Sequence, residues 1–179
     1  MIKIGSHNVG RIAERIVANE LEARGFRVSD LNKEGTAANA DLLAVSPRKS
    51  LQIQVKGSTN GPKERLWVGY GHLTKEILAR SQKVFNRKHS FYKADLVVLV
   101  AVRSPTEYSC FVLPIRVAER AAQFHVAAWL DRGWKPGRTH LTLEPSPRAK
   151  KIDPRLARER KLLALYRGEK GWKRLIQSN

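Results

Sequence analysis

The chain carries a single cysteine, Cys110, in 179 residues. One thiol excludes an internal disulfide and any zinc site built from several cysteines. Its neighbours Tyr108, Phe111 and Val112 suit a buried strand better than an exposed nucleophile. The histidines, His7, His72, His89, His125 and His140, fall at no metal-ligand spacing. No apolar run approaches the roughly 20 residues that a membrane-spanning helix needs. The opening MIKIGSHNVG lacks the long apolar stretch of a secretory leader. A cytoplasmic chain with no membrane partner is therefore expected. Internal repeats and low-complexity tracts are missing too. Acidic residues are scarce: 16 against 34 Lys and Arg, for a net charge of +18.

That excess of positive charge attracts polyanions and binds their phosphates in a salt-dependent way. Composition does not separate an enzyme of nucleic acid from a ribosome-associated or merely basic protein. The length suits one domain with a tail, enough to bury a core. Ile12, Ala13, Ile16, Val17 and Leu21 recur at helical spacing and predict a first helix over 10–24, stopped by Gly25. A short strand is expected over 26–31, a glycine-rich loop over 57–71 with a short strand at 65–68, and a second helix over 73–85. The β-branched run 95–102 predicts a strand buried on both faces. A strand over 108–113 closed by Pro114 and a helix over 117–130 follow. From Asp131 the prolines and glycines mark an irregular segment. Pro154 then opens a basic helix to about Tyr166, with Leu156, Leu162, Leu163 and Leu165 as its apolar side. Strands alternating with helices predict an α/β layered domain with a mixed sheet.

The most specific signal is ADLLAV-SPRKS-LQIQVKG. Leu42 to Val45 is an apolar run. Pro47 marks a turn, and 51–56 alternates as a half-buried strand does. Such a short link makes the pair antiparallel. Counting outward from the turn puts Asp41 opposite Gln54. Gln54 and Lys56, two apart, share a strand face. A carboxylate, a carboxamide oxygen and an ammonium group then meet at one spot. That trio suits a hard divalent cation and a water beside a phosphate.

Three motifs, GRIAE (10–14), ADLLAV with Asp41, and QVKGS (54–58), resemble those of the PD-(D/E)XK nuclease superfamily, in particular its Holliday junction resolvase-like, YraN-like, restriction and homing members. The motifs cover about the first third of the chain. The order of elements extends the likeness to about residue 130. The resemblance implies a restriction-endonuclease-like three-layer core over 1–130, with 131–179 as a basic C-terminal extension holding a helix. It implies a metal-dependent endonuclease that hydrolyses DNA phosphodiester bonds with Mg²⁺ or Mn²⁺, and a homodimer or higher homo-oligomer. Asp41 would be the central metal ligand, joined by Gln54, the Val55 carbonyl and Glu14. Lys56 would handle the attacking water or the charge on phosphorus. The family usually has an acid where Gln54 stands, so this site holds one negative charge fewer. Glutamine there also occurs in active nucleases of this kind, including an intron-encoded homing enzyme.

Each position has a plainer reading. Glu20 lies nearer the centre of the apolar stripe than Glu14 and competes as the inward acid. Gln52 shares the Gln54 face. Ser58, with Thr59 and Asn60, follows Lys56 and could contact a phosphate or form a turn, whereas Lys63, Arg65 and Trp67, with Tyr70, interleave charge and aromatic faces in a pattern suited to backbone contact and base stacking, or form a solvated loop. Glu76 could approach the site or belong to an ordinary surface salt pattern. Arg155 and Arg158 on the basic helix could meet phosphates or solvent. A nucleic-acid-binding protein without catalysis, and an RNA-directed nuclease, remain as alternatives.

Overall fold

The computed structural model describes residues 6–32, 40–59, 67–73, 94–104, 106–130, 137–142 and 154–177. Helix α1 (Ser6–Glu22) buries Val9, Ala13, Ile16, Val17 and Leu21, one stripe at i, i+3 and i+4 spacing. It starts a turn before the expected Gly10 because Val9 extends that stripe backward. It stops where Gly25 predicts. Gly25 takes φ 85, its N–H donates to Glu22 O at 2.9 Å, and the Phe26 N–H donates to Leu21 O at 3.1 Å. This left-handed glycine cap satisfies the last carbonyls of the helix.

The strands are β1 (Arg27–Asp30), β2 (Leu42–Val45), β3 (Ser50–Thr59), β4 (Trp67–Leu73), β5 (Leu96–Val102), β6 (Tyr108–Pro114) and β7 (Gly137–Thr142). The remaining helices among the described residues are α2 (Ile115–Leu130), α3 (Pro154–Ala164) and α4 (Glu169–Gln177). The five-stranded main sheet runs β1-β2-β3-β5-β6. Only β3 and β5 in it are parallel, so the sheet is mixed, as expected. β4 and β7 form a separate antiparallel pair.

The core lies on both faces of the sheet. On one face α1, with Trp172 and Leu175 of α4, covers Leu42, Ala44, Ile53, Val55, Val98 and Val100. On the other, Val97 and Leu99 are equally buried, and α2 packs on β5 and β6. β5 is therefore enclosed on both sides, as its unbroken apolar sequence predicts. α3 packs on α2 and β6. The link from α3 to α4 runs along the outer side of β6. The Val112 N–H donates to Tyr166 O at 2.9 Å, and the Gly168 N–H donates to Cys110 O at 2.7 Å.

Several expectations differ in position. Gly57, read as the start of a loop, continues β3 to Thr59. A Cβ there would lie 2.7 Å from Ala13 Cβ and 2.9 Å from Val9 O, so the glycine admits α1 rather than breaking the strand. Leu73 ends β4, and the rest of the helix expected over 73–85 lies outside the described residues. β7 occupies part of the segment expected to be irregular. α4 follows a basic helix expected to be the last element. Leu163 is the buried leucine of α3, while Leu165 is 49% exposed and not on its apolar side. Cys110 is buried in β6, as expected.

Candidate active site

The β2–β3 hairpin holds the register read from the sequence. Leu42 pairs with Ile53 and Val45 with Ser50. The ladder ends at the Leu42–Ile53 pair; Asp41, expected opposite Gln54, instead donates its N–H to Ile53 O at 2.9 Å and so shares the partner residue of Leu42. The Asp41 side chain folds back over β3. Its Oδ2 accepts the Val55 N–H at 2.6 Å, a short charge-assisted bond. Its Oδ1 accepts from Asn32 Nδ2 at 3.4 Å. Two acceptor positions of the carboxylate remain for another partner. Gln52 is exposed, pairs with Leu43, and gives its backbone N–H to Asp95. The slipped register that would have put Gln52 in place of Gln54 is not the one adopted.

Alternation places Ile53 and Val55 on the α1 face and Gln54 and Lys56 on the other. Glu14, on α1, is nevertheless close enough to Asp41 and Lys56 to sense their charges. Burial pushes the Glu14 carboxyl above its ordinary range. The negative charges of Asp41 and Asp30 raise it further, while Lys56 and Arg11 partly offset them. Both Asp41 and Lys56 thus act electrostatically on Glu14. Glu20 is committed elsewhere. It pairs with Arg24 at 2.6 Å and accepts the Tyr108 hydroxyl at 2.8 Å. Of the two candidate acids on α1, Glu14 is the one that senses the Asp41 charge.

The Gln54 Oε1 is buried and accepts no hydrogen bond. Leaving such an acceptor unsatisfied costs about 1–3 kcal/mol. An orphaned carboxamide oxygen one residue from the amide that holds the Asp41 carboxylate is a natural seat for a cation. Among the described residues no three His, Cys, Asp and Glu side chains form a metal-holding group. An ion here would draw on the oxygens of Asp41, Gln54 and Glu14 and on water. That all-oxygen set fits Mg²⁺ or Mn²⁺, which are held by few protein ligands and retain several waters. Lys56 makes no hydrogen bond or ion pair among the described residues, so its ammonium remains available.

Sequence reasoning missed Asp30, Arg11 and Arg15. Asp30 closes β1 opposite Leu42, the neighbour of Asp41. Leu31 N–H donates to Asp41 O at 3.0 Å, and Asn32 N–H donates to Asp30 Oδ1 at 3.0 Å. An aspartate at a strand end was visible; its pairing beside Asp41 was not. Arg11, Glu14 and Arg15 of α1 and Val28, Asp30 and Leu42 of the β1–β2 pair line a cleft of about 340 Å³.

The remaining expected residues do not all gather here. Ser58 lies in β3, with its hydroxyl 3.5 Å from Thr59 O. Trp67 opens β4. Lys63, Arg65 and Glu76 lie outside the described residues. Arg155 and Arg158 ride on α3, at the β6 edge of the sheet and away from the β2–β3 hairpin.

An open mixed sheet with helices on both faces defines an α/β fold, with Asp41 just before β2 and Gln54 and Lys56 within β3. The structure is similar to that of a bacterial homing endonuclease, I-Ssp6803I, with a TM-score of 0.51 over 98% of this chain and 94% of that one, at 15% identity. At that identity the likeness is one of fold. No protein-family model matches the chain. No curated protein matches it either.

Proposed function

We propose that this chain is a PD-(D/E)XK-type endonuclease that hydrolyses DNA phosphodiester bonds with Mg²⁺ or Mn²⁺, and that it works as a homodimer on both strands. The observation that carries the reading is the buried Gln54 Oε1 with no hydrogen bond from the described residues, one residue before the Val55 amide that holds the Asp41 carboxylate. The fold shared with a homing endonuclease and the net charge of +18 support it.

Asp41, Glu14 and Gln54, with the Val55 carbonyl, would hold the cation. When bound, it supplies Lewis acidity and lowers the pKa of coordinated water. Val55 fixes the Asp41 carboxylate through its amide, so that group is oriented before any ligand arrives. Glu14 accepts the proton of the attacking water. Lys56 donates to a non-bridging phosphate oxygen and stabilises the charge that grows there. Water oxygen bonds to phosphorus, the bond to the leaving oxygen breaks, and that oxygen takes up a proton from solvent.

Plasmid nicking in Mn²⁺ tests this. Asp41→Ala and Lys56→Ala should each lower the rate about a hundred-fold or more while leaving DNA binding intact. A second reading, a DNA-binding protein without catalysis, draws on the neutral side chain at Gln54. It predicts binding without cleavage, unchanged or tightened in Asp41→Ala. Faster loss of RNA than of DNA under the same conditions would redirect the substrate.

A further inference from the structure

Two guanidinium groups flank the acidic centre on its open side. Arg11 and Arg15 are exposed, four residues apart on α1, with Glu14 between them, and both line the cleft against β1 and β2. Neither makes a hydrogen bond or an ion pair among the described residues. This is so although Glu14 and Asp30 share the cleft with them. At about 1.5 Å of rise per residue they stand about 6 Å apart along the helix axis. Phosphates of one DNA strand advance about 3.4 Å per nucleotide along the duplex, so the pair spans neighbouring phosphates rather than gripping one.

The placement also answers an electrostatic difficulty. Glu14 and Asp30 line the same cleft, and Asp41 directly precedes Leu42 of its lining. That cluster repels an approaching phosphodiester. A guanidinium on either side of Glu14 offsets the repulsion where the strand must enter. Its planar donor fork also binds phosphate oxygens in a fixed orientation, which a lysine does not.

We propose that Arg11 and Arg15 form a two-point phosphate clamp that lays the backbone of duplex DNA along α1 and over the cleft, setting the strand against the Asp41–Lys56 end. This rests on the nuclease reading for the identity of the polyanion, and it assigns the strand path that reading lacks.

The test uses the full chain and a short fluorescein-labelled DNA duplex without divalent ions, with binding measured by anisotropy over a salt series. Arg11→Gln and Arg15→Gln should each weaken binding several-fold and reduce the slope of log affinity against log salt by about one. The double variant should lose about two. Arg11→Lys should recover the slope but not the full affinity. Arg116→Gln, at the start of α2 on the other face of the sheet, should leave the slope unchanged. Equal effects at Arg116 and Arg11 would overturn the clamp, as would a wild-type chain that does not bind the duplex. Failure of the nuclease reading gives a different pattern: no nicking in Mn²⁺ by any form, with the arginine-dependent slope retained.

Discussion

Glu14 ties together burial, charge and pH. Its carboxyl binds a proton more tightly in the folded chain than in the unfolded one. Folding is therefore favoured where Glu14 is protonated. That advantage is lost as pH rises from the ordinary glutamate range through the raised value. Glu14→Gln removes the penalty of the buried charge. At pH 7 the variant should show a higher urea midpoint than wild type, and the gap should close as pH falls to about 4. A gap of constant size would mean that Glu14 is no more buried in charge than a surface acid. Gln54→Glu makes the opposite trade. It adds a negative charge beside Asp41 and Glu14, so the metal-free variant should be less stable than wild type. It should also bind Mn²⁺ more tightly, visible as a larger metal-induced rise in melting temperature. Unchanged Mn²⁺ affinity would remove Gln54 from the ligand set. The β2–β3 hairpin, with Gln54 and Lys56 two apart on one strand, was legible in the sequence because turn chemistry and strand alternation are local. Asp30 was not, because its proximity to Asp41 depends on β1 pairing with β2, across residues 31–41, in a register the sequence leaves open.

At the scale of elements, the approach of α1 to β3 sets the site. Gly57 lies under Val9 and Ala13, one residue before Glu14 on the helix and one after Lys56 on the strand. Gly57→Ala would push its methyl against the Val9 carbonyl, which belongs to the helix backbone and does not yield. The expected cost is about 1–3 kcal/mol in stability, read from denaturant unfolding. Nicking should fall beyond what the loss of folded protein explains, because Glu14 moves with the helix. A variant of wild-type specific activity per folded molecule would separate the contact from the chemistry. Sequence reading took Gly57 for a loop residue. A turn and a close helix crossing both call for glycine, and a single sequence gives them the same letter. α4 was missed for a related reason. Glu169, Lys170, Lys173 and Arg174 look like a solvated tail, and only Trp172 and Leu175, one turn apart, betray a buried side.

At the scale of the molecule, Trp172 joins distant parts of the chain. It is 2% exposed in the core under α1. The Arg24 guanidinium lies 5.0 Å from its ring centroid and also pairs with Glu169 at 2.6 Å. The ion pair is partly exposed and worth little by itself; the buried indole carries the attachment. Trp172→Ala should cost about 3–5 kcal/mol, measured as a shift in the unfolding midpoint with an unchanged cooperative slope. The order of layers through α2 was legible because the helical stripe and the long apolar strand β5 are strong periodic signals. The return of residues 169–177 to the face that α1 covers had no such signal.

The backbone between α3 and α4 occupies the hydrogen-bonding margin of β6 through Tyr166 and Gly168. A sheet grows into fibrils only when strands of successive molecules can add at opposite rims. With the β6 rim of the main sheet already stitched by its own chain, copies of this protein that met through that sheet would join at the β1 rim and close as a pair.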